Sequence, residues 1–79
     1  MRLDKYLKVS RIIKRRTVAN DACDAGRVTV NGKPAKAGQN VKAGDVLTLR
    51  FGEKQNSFRV LFVDEREAKT NASAMYEEV

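Results

Sequence analysis

The sequence contains no histidine and no tryptophan, and its single cysteine is Cys23. Without histidine there is neither a Ser-His-Asp triad nor an imidazole ligand for a metal ion. One cysteine cannot form an internal disulfide, and no base or second thiol activates it, so we expect Cys23 to be a small, buried core residue. These absences exclude histidine-based nucleophilic catalysis, imidazole metal ligands and internal disulfides, and we expect no metal and no cofactor.

Long hydrophobic runs are absent as well. No segment approaches the roughly 18 apolar residues of a membrane-spanning helix, and no charged segment leads into a short apolar run with a cleavage site. A cytoplasmic location is therefore expected. Leu, Ile, Val and Phe make up 19 of the 79 residues, which exceeds the roughly 20% below which chains tend to be disordered. The sequence thus predicts one small folded domain.

The positive charge is concentrated at the start of the chain. The whole sequence has a net charge of +6, and residues 1–16 alone reach +6 with seven cations and one anion. Residues 17–63 have a net charge of +3, and residues 64–79 have −3. Such a field opposes folding by self-repulsion unless a polyanion neutralises it. Nucleic acid is favoured over an anionic membrane, because a small core needs the apolar residues that a membrane-bound helix would expose.

The chain begins with a predicted amphipathic helix over residues 2–9. Its apolar residues have the 3, 4, 7 spacing of one helix face, which places Tyr6 in the core. Asp4 is expected to interact with the helix dipole and to pair with Lys8 one turn further on. The alternative is that Asp4 orients Arg2 or another arginine, or accepts a hydrogen bond from a base or a ribose.

A basic break over residues 10–16 separates this helix from a second one at about residues 17–25. Thr17 is the expected N-cap, and Gly26 supplies the left-handed residue that ends many helices. A face of small residues suits close packing against the core. It consists of Val18, Ala19, Ala22, Cys23 and Ala25.

After the second helix the apolar period changes to two, which predicts a small sheet. Two valines alternate with polar residues before an Asn31-Gly32 turn. Further strands are predicted at residues 46–51 and 58–63, with a turn over residues 52–56 between them. The last four residues of the final strand are apolar, so we expect this strand to be buried on both faces.

These elements predict an α+β fold in which two N-terminal helices pack on a small, mostly antiparallel sheet. We expect the domain to cover residues 1–63. Residues 64–79 form an acidic tail with a weak hydrophobic pattern, which we expect to be partly disordered or helical.

Three motifs follow one another along the chain: Arg2-Leu3-Asp4-Lys5-Tyr6-Leu7, Arg15-Arg16-Thr17 and Ala25-Gly26-Arg27-Val28-Thr29-Val30-Asn31-Gly32. Together they resemble the RNA-binding domain first described in the small-subunit ribosomal protein S-four, called here the S-four domain. The resemblance spans residues 2–33 and continues through the Gly44-Asp45 turn to about residue 51. A free-standing S-four domain of this length is similar to the RqcP family of ribosome quality-control factors and to the heat-shock ribosome-binding protein fifteen family.

The resemblance implies a non-enzymatic RNA-binding factor. Members of the RqcP family bind large ribosomal subunits that still hold peptidyl-tRNA after a stalled ribosome has split, and they support the addition of untemplated alanines by RqcH. The implied partners are large-subunit rRNA, peptidyl-tRNA and an RqcH-type factor, and we expect a monomer with no membrane partner. The alternatives are a heat-shock-type recycling factor for dissociated large subunits and a general binder of structured RNA.

S-four domains also occur fused to pseudouridine synthases and aminoacyl-tRNA synthetases. Such enzymes need a catalytic domain far longer than the 28 residues that follow Phe51. We therefore do not expect an enzyme.

The candidate RNA contacts are cations from the first helix, the basic break and the turn region. Such groups bind phosphates from several directions, and counterion release then supplies affinity without sequence preference. The N-terminus of the second helix, beside Arg16, is a further candidate position for binding a phosphate. Asp4 is a candidate supporting residue. The candidate contacts are Arg2, Lys5, Lys8, Arg11, Lys14, Arg15, Arg16, Arg27 and Lys33.

Overall fold

The computed structural model describes residues 1–64, 66 and 71–79. The elements that lie within these residues are α1 (Leu3–Val9), α2 (Arg16–Asp24), β1 (Val28–Val30), β2 (Lys33–Pro34), β3 (Val46–Phe51), β4 (Lys54–Val60), a 3-10 helix (Ala72–Met75) and β5 (Tyr76–Glu78). No helix in the described part of the chain is both long enough and apolar enough to cross a membrane.

The strands form one sheet in the order β2-β1-β3-β4-β5, and each of these neighbouring pairs is antiparallel. The helices pack against each other and against the sheet. As a result Leu3, Tyr6 and Leu7 of α1 share one buried cluster with Val28 of β1 and Leu47 of β3. The predicted α+β fold is confirmed.

The start of α2 differs from the prediction. The N–H of Ala19 donates to the carbonyl oxygen of Arg15 at 3.0 Å, which makes Arg15 the N-cap and places Thr17 inside the helix. Among residues 1–64, 66 and 71–79, no side chain donates or accepts a capping hydrogen bond at this end. Gly26 ends the helix with a φ of 73°, as predicted. Within the small-residue face, Ala19, Ala22 and Cys23 are buried, whereas Val18 and Ala25 are exposed.

Both predicted hairpin turns form, but the second is shorter than expected. Asn31 and Gly32 have φ values of 53° and 83°, the geometry of a type I′ turn between β1 and β2. In the second hairpin Gly52 has a φ of 62°, and Phe51 pairs directly with Lys54. The prediction of a longer turn was wrong because this end of the hairpin extends past the core. Its polar residues are exposed on both faces and lack the alternation that marks a strand.

The prediction of a last strand buried on both faces was also wrong. β4 ends at Val60, which is 1% exposed, and Leu61 beside it is 42% exposed. The N–H of Leu61 still donates to the carbonyl oxygen of Met75 at 2.7 Å, but β3 on the other side of β4 begins only at Val46. The two residues that follow Leu61 are partly buried at the margin of the core and do not extend the strand.

The predicted tail lies in part outside the described residues, and its end adds a strand to the sheet. β5 pairs antiparallel with β4, with Val60 opposite Tyr76. Met75 is fully buried, and its carbonyl oxygen accepts a hydrogen bond of 2.8 Å from the hydroxyl of Tyr6. The Phe58 and Tyr76 rings meet edge to face at 5.2 Å. This segment gives a weak sequence signal, because only two large apolar residues anchor it.

Candidate nucleic-acid interface

Asp4 joins the two helices through a buried carboxylate. The residue is 2% exposed, and its Oδ1 lies 3.3 Å from Nε of Arg2. Its Oδ2 lies 3.4 Å from Nε of Arg16 and accepts a hydrogen bond of 3.5 Å from Nδ2 of Asn20. These four residues are called the Asp4 cluster. They bring the arginines of the first and second sequence motifs to a single point on the surface.

The first turn of α1, which carries Asp4, is held by the loop of residues 37–41. The N–H of Leu3 donates to the carbonyl oxygen of Gln39 at 2.7 Å, and the N–H of Asp4 donates to that of Ala37 at 3.1 Å. A helix leaves these N–H groups without partners inside the helix. Loop carbonyls therefore replace a side-chain cap, and a distant segment positions the candidate site.

The guanidinium groups of the cluster are oriented but accessible. The side chain of Arg2 is 51% exposed and that of Arg16 is 48% exposed. Arg2 also lies against Gly38, where an added Cβ would be 3.7 Å from its Nη2 atom. Arg16 contacts Asp4 through Nε; among the described residues its terminal nitrogens have no partner, so their donors are available to a ligand. A guanidinium fork matches phosphate oxygens in a bidentate geometry.

The carboxyl group of Asp4 remains ionised at neutral pH. Burial alone would raise its pKa, but hydrogen bonds from the backbone N–H of Lys5 and from Arg16 and Asn20, together with the charge of Arg16, lower the pKa below its ordinary value. The ionised carboxylate offsets the repulsion between the two guanidinium groups. The expected pairing of Asp4 with Lys8 does not occur, and the alternative role of orienting Arg2 is the one observed.

The start of α2 borders the cluster. A depression of ≈ 320 Å³ is lined by Asp4, Arg16, Thr17, Asn20 and Asp21. In the part of the chain that the structure describes, the first backbone N–H groups of α2 have no side-chain cap. An anionic group seated here would meet the positive end of the helix dipole and the guanidinium of Arg16 together.

The other predicted cations of the first 16 residues lie on α1 and on the break between the two helices. Lys14 and Arg15 are exposed on the break that leads into α2, and Lys8 is exposed on α1. Arg11 is exposed and has a left-handed backbone with a φ of 65°. Lys5 is half-buried. The break therefore presents several exposed cations between the two helices that carry the Asp4 cluster.

The structure does not bring Arg27 and Lys33 into the cluster. Arg27 follows the far end of α2, whose nine residues extend about 13 Å, and it lines a separate depression with Phe51. Lys33 lines a groove that also includes Asn40. Asn40 forms an isolated antiparallel bridge with Arg2. Lys33 thus belongs to a neighbouring surface, whereas Arg27 lies apart from the cluster.

Asn20 and Gly38 are parts of the site that were not predicted from the sequence. Asn20 follows Arg16 by four residues, which places both on one helix face, so this spacing was an available signal. Gly38 contacts Arg2 across the fold, and its local sequence contains nothing that indicates this contact. Cys23 is buried as expected, and burial raises the pKa of its thiol to about 11, so the thiol stays protonated and unreactive at neutral pH.

Residues 1–47 match the family model described as the S4 domain, the S-four domain of the sequence analysis. The match contains both helices of the Asp4 cluster and the loop that holds α1. The part of the chain that carries the Asp4 cluster is therefore an S4 domain.

A more specific likeness covers nearly the whole chain. The protein called RQC P-site tRNA stabilizing factor in Halalkalibacterium halodurans is 56% identical over 77 residues, which are 98% of this chain and 88% of that protein. The chain belongs to the S4 domain family and, within it, to the family of RQC P-site tRNA stabilizing factors.

Two heat-shock proteins are also similar to the chain. The heat shock protein 15 homolog of Aeromonas salmonicida is 38% identical over 79 residues, which are 99% of this chain and 60% of that protein. The trimeric structure of Vibrio cholerae heat shock protein 15 has a TM-score of 0.87 and 31% identity, covering 100% of this chain and 81% of that one. Both resemblances predicted from the sequence are thus found.

Proposed function

We propose that the chain is a non-enzymatic factor of ribosome-associated quality control. It binds large-subunit rRNA and peptidyl-tRNA on obstructed ribosomes that have split, and it supports untemplated C-terminal alanine tailing by an RqcH-type factor. The observation that carries the proposal is the Asp4 cluster, which presents two oriented arginines on a domain whose relatives are named for stabilizing P-site tRNA.

The geometry supports backbone recognition of structured RNA. Arg2 and Arg16 project from different helices, and the exposed cations of the break lie between those helices. Phosphates of a folded RNA approach from several directions, and such a surface meets them without reading bases. Binding of this kind stabilises a tRNA that lacks codon-dependent support, because the phosphate contacts do not depend on the tRNA sequence.

Cosedimentation with large ribosomal subunits tests the proposal. Wild type and the Arg2→Ala and Arg16→Ala variants are expressed with a tag, lysates are separated on gradients, and fractions are probed for the protein, tRNA and alanine-tailed peptides. Lys54→Ala is the matched control, since it removes one exposed cation from the β3–β4 hairpin. Each arginine variant is expected to lose about tenfold or more in affinity, because it removes charge-assisted hydrogen bonds.

The results of this experiment distinguish a role in ribosome binding from a role in alanine tailing of the nascent chain. Wild type in fractions with peptidyl-tRNA, together with loss of alanine tails on deletion of the gene, supports the whole proposal. Folded arginine variants that cosediment as well as Lys54→Ala would show that the Asp4 cluster is not the binding surface. Wild type that stays at the top of the gradient would refute ribosome binding.

A heat-shock-type recycling factor is the second candidate function, favoured by the structural likeness to heat shock protein 15. Such a factor would also cosediment with large subunits, but deletion of its gene would leave the alanine tails unchanged. We further propose that the chain acts as a monomer, in contrast to the trimeric relative. Light scattering on the purified protein checks this state, and a mass of three chains would contradict it.

A further inference from the structure

A groove beside the Asp4 cluster has the chemistry of a second RNA site. It encloses ≈ 760 Å³ between the Asn31-Gly32 turn and residues 39–42, and Lys33 and Lys42 line it. We propose that this groove, called the hairpin groove, binds the ribose-phosphate backbone of an RNA strand and recognises its 2′-hydroxyl groups. The proposal rests on the proposed function as an RNA-binding factor and adds to it a site that distinguishes RNA by its sugar.

The walls of the hairpin groove are held by one buried carboxylate. Asp45 is 7% exposed, and its Oδ1 accepts a hydrogen bond of 3.1 Å from Nδ2 of Asn31. Its Oδ2 accepts a bond of 3.0 Å from the backbone N–H of Lys42. Oδ1 of Asn31 in turn accepts the N–H of Val46 at 3.0 Å. The turn on one side and the loop on the other are therefore preorganised, which lowers the entropic cost of binding.

The groups left available in the groove match a ribose-phosphate chain. The side chains of Gln39 and Asn40 are exposed, and in the described part of the chain their amides have no hydrogen-bond partner. An amide offers both donors and an acceptor, as does the 2′-hydroxyl that distinguishes RNA from DNA. The ammonium groups of Lys33 and Lys42 supply the charge that neighbouring phosphates require.

Continuity with the Asp4 cluster favours RNA over an acidic peptide as the ligand. Arg2 and Asn40 are partners in an antiparallel bridge, which places their backbones about 5 Å apart. The guanidinium of Arg2 lies against Gly38 in the same loop. The same loop thus contacts an arginine of the Asp4 cluster and forms a wall of the hairpin groove. An RNA bound at both places therefore has only a short distance to span.

Binding of a fluorescent RNA hairpin and of the same hairpin with 2′-O-methyl riboses tests the inference. Methylation keeps the phosphates and the A-form helix but removes the hydroxyl donor. Wild type is expected to prefer the unmodified hairpin by about threefold or more. Gln39→Ala combined with Asn40→Ala should abolish that preference, while circular dichroism shows an unchanged melting temperature because the backbone bonds of the loop remain.

The lysines of the groove give an independent measurement. Lys33→Ala and Lys42→Ala should each reduce the slope of log affinity against log salt by about 0.7 to 0.9. Lys54→Ala on the β3–β4 hairpin is the control and should leave the slope unchanged. Arg2→Ala should weaken binding of both hairpins equally and keep the preference for unmodified ribose.

The possible outcomes distinguish failure of the groove proposal from failure of RNA binding as a whole. If wild type binds both hairpins equally, the 2′-hydroxyl site is refuted and RNA binding stands. If the variant with both Gln39→Ala and Asn40→Ala still prefers the unmodified RNA, the hairpin groove is not the site. The same conclusion follows if Lys33→Ala and Lys42→Ala leave the salt slope unchanged, as Lys54→Ala should. If wild type binds neither hairpin, RNA binding by the isolated chain fails, and the groove proposal fails with it. The assignment to RNA would also be overturned if wild type bound an acidic peptide as tightly as the RNA hairpin and this binding required Lys33 and Lys42.

Discussion

Nε of Arg16 lies 3.4 Å from Oδ2 of Asp4, and this contact joins α2 to α1 through a carboxylate that is almost inaccessible to solvent. A buried charge destabilises a fold unless it is paired and hydrogen-bonded. The two helices are therefore held in the arrangement that keeps Asp4 paired. The same contact orients a candidate RNA-binding group, so we expect both stability and RNA binding to depend on one carboxylate.

Replacing Asp4 with Asn separates positioning from charge. If only net charge mattered, loss of an anion would strengthen RNA binding. Because Asp4 orients Arg2 and Arg16, we expect Asp4→Asn to weaken binding of large subunits several-fold and to lower the free energy of unfolding by about 1–3 kcal/mol. Asp24→Asn removes an equal charge from an exposed position at the far end of α2 and is the control. Equal behaviour of the two variants in a filter-binding assay would contradict the positioning role.

Acid should weaken the fold through the same carboxyl group. The pKa of Asp4 in the folded state lies below its ordinary value of 3.8, so its contribution is fully present above that value and is lost as the pH falls through the folded pKa. Urea unfolding of wild type should show little change from this group between pH 7 and about 5, and a decline below about 4. Asp4→Asn should decline less steeply over the acidic range; parallel curves would argue against this assignment.

The Tyr6 hydroxyl should stabilise the end of the chain. Burial raises its pKa, so the group is a permanent donor to the carbonyl oxygen of Met75. Tyr6→Phe removes one buried hydrogen bond, which costs about 1 kcal/mol and lowers the melting temperature by about 4–8 °C. In the Tyr6→Phe variant, the backbone amides of β5 should exchange hydrogen faster than those of β1. Tyr76→Phe is the control, and an equal loss there would show that the Met75 contact is not special.

Arg11 should be replaceable by glycine with a gain in stability. Its φ of 65° is a conformation that costs about 1 kcal/mol for a residue with a Cβ. Arg11→Gly and Arg11→Ala remove the same charge, so both should weaken RNA binding alike. Only Arg11→Gly relieves the strain, and its melting temperature should exceed that of Arg11→Ala by several degrees. Identical melting curves would show that the backbone here relaxes without cost.

The sequence by itself determined the elements whose signals are local. Apolar spacing gave α1, alternation gave β1 and β3, and the Asn31-Gly32 pair specified a type I′ turn because both positions need a positive φ. The charge count located the candidate interface on the first 16 residues. The motifs supported the S4 domain, since each lies within a few consecutive residues.

Only the tertiary structure decided how those parts meet. The carbonyls that cap α1 belong to residues 37 and 39, and a carbonyl is the same in every residue, so no side chain announces this contact. Asp4 pairs with Arg16 rather than Lys8 because burial between the helices, not spacing along one helix, selects its partners. β5 forms because β4 offers a free edge and Tyr6 offers a donor to Met75. These contacts join residues far apart in the chain, and only folding brings them together.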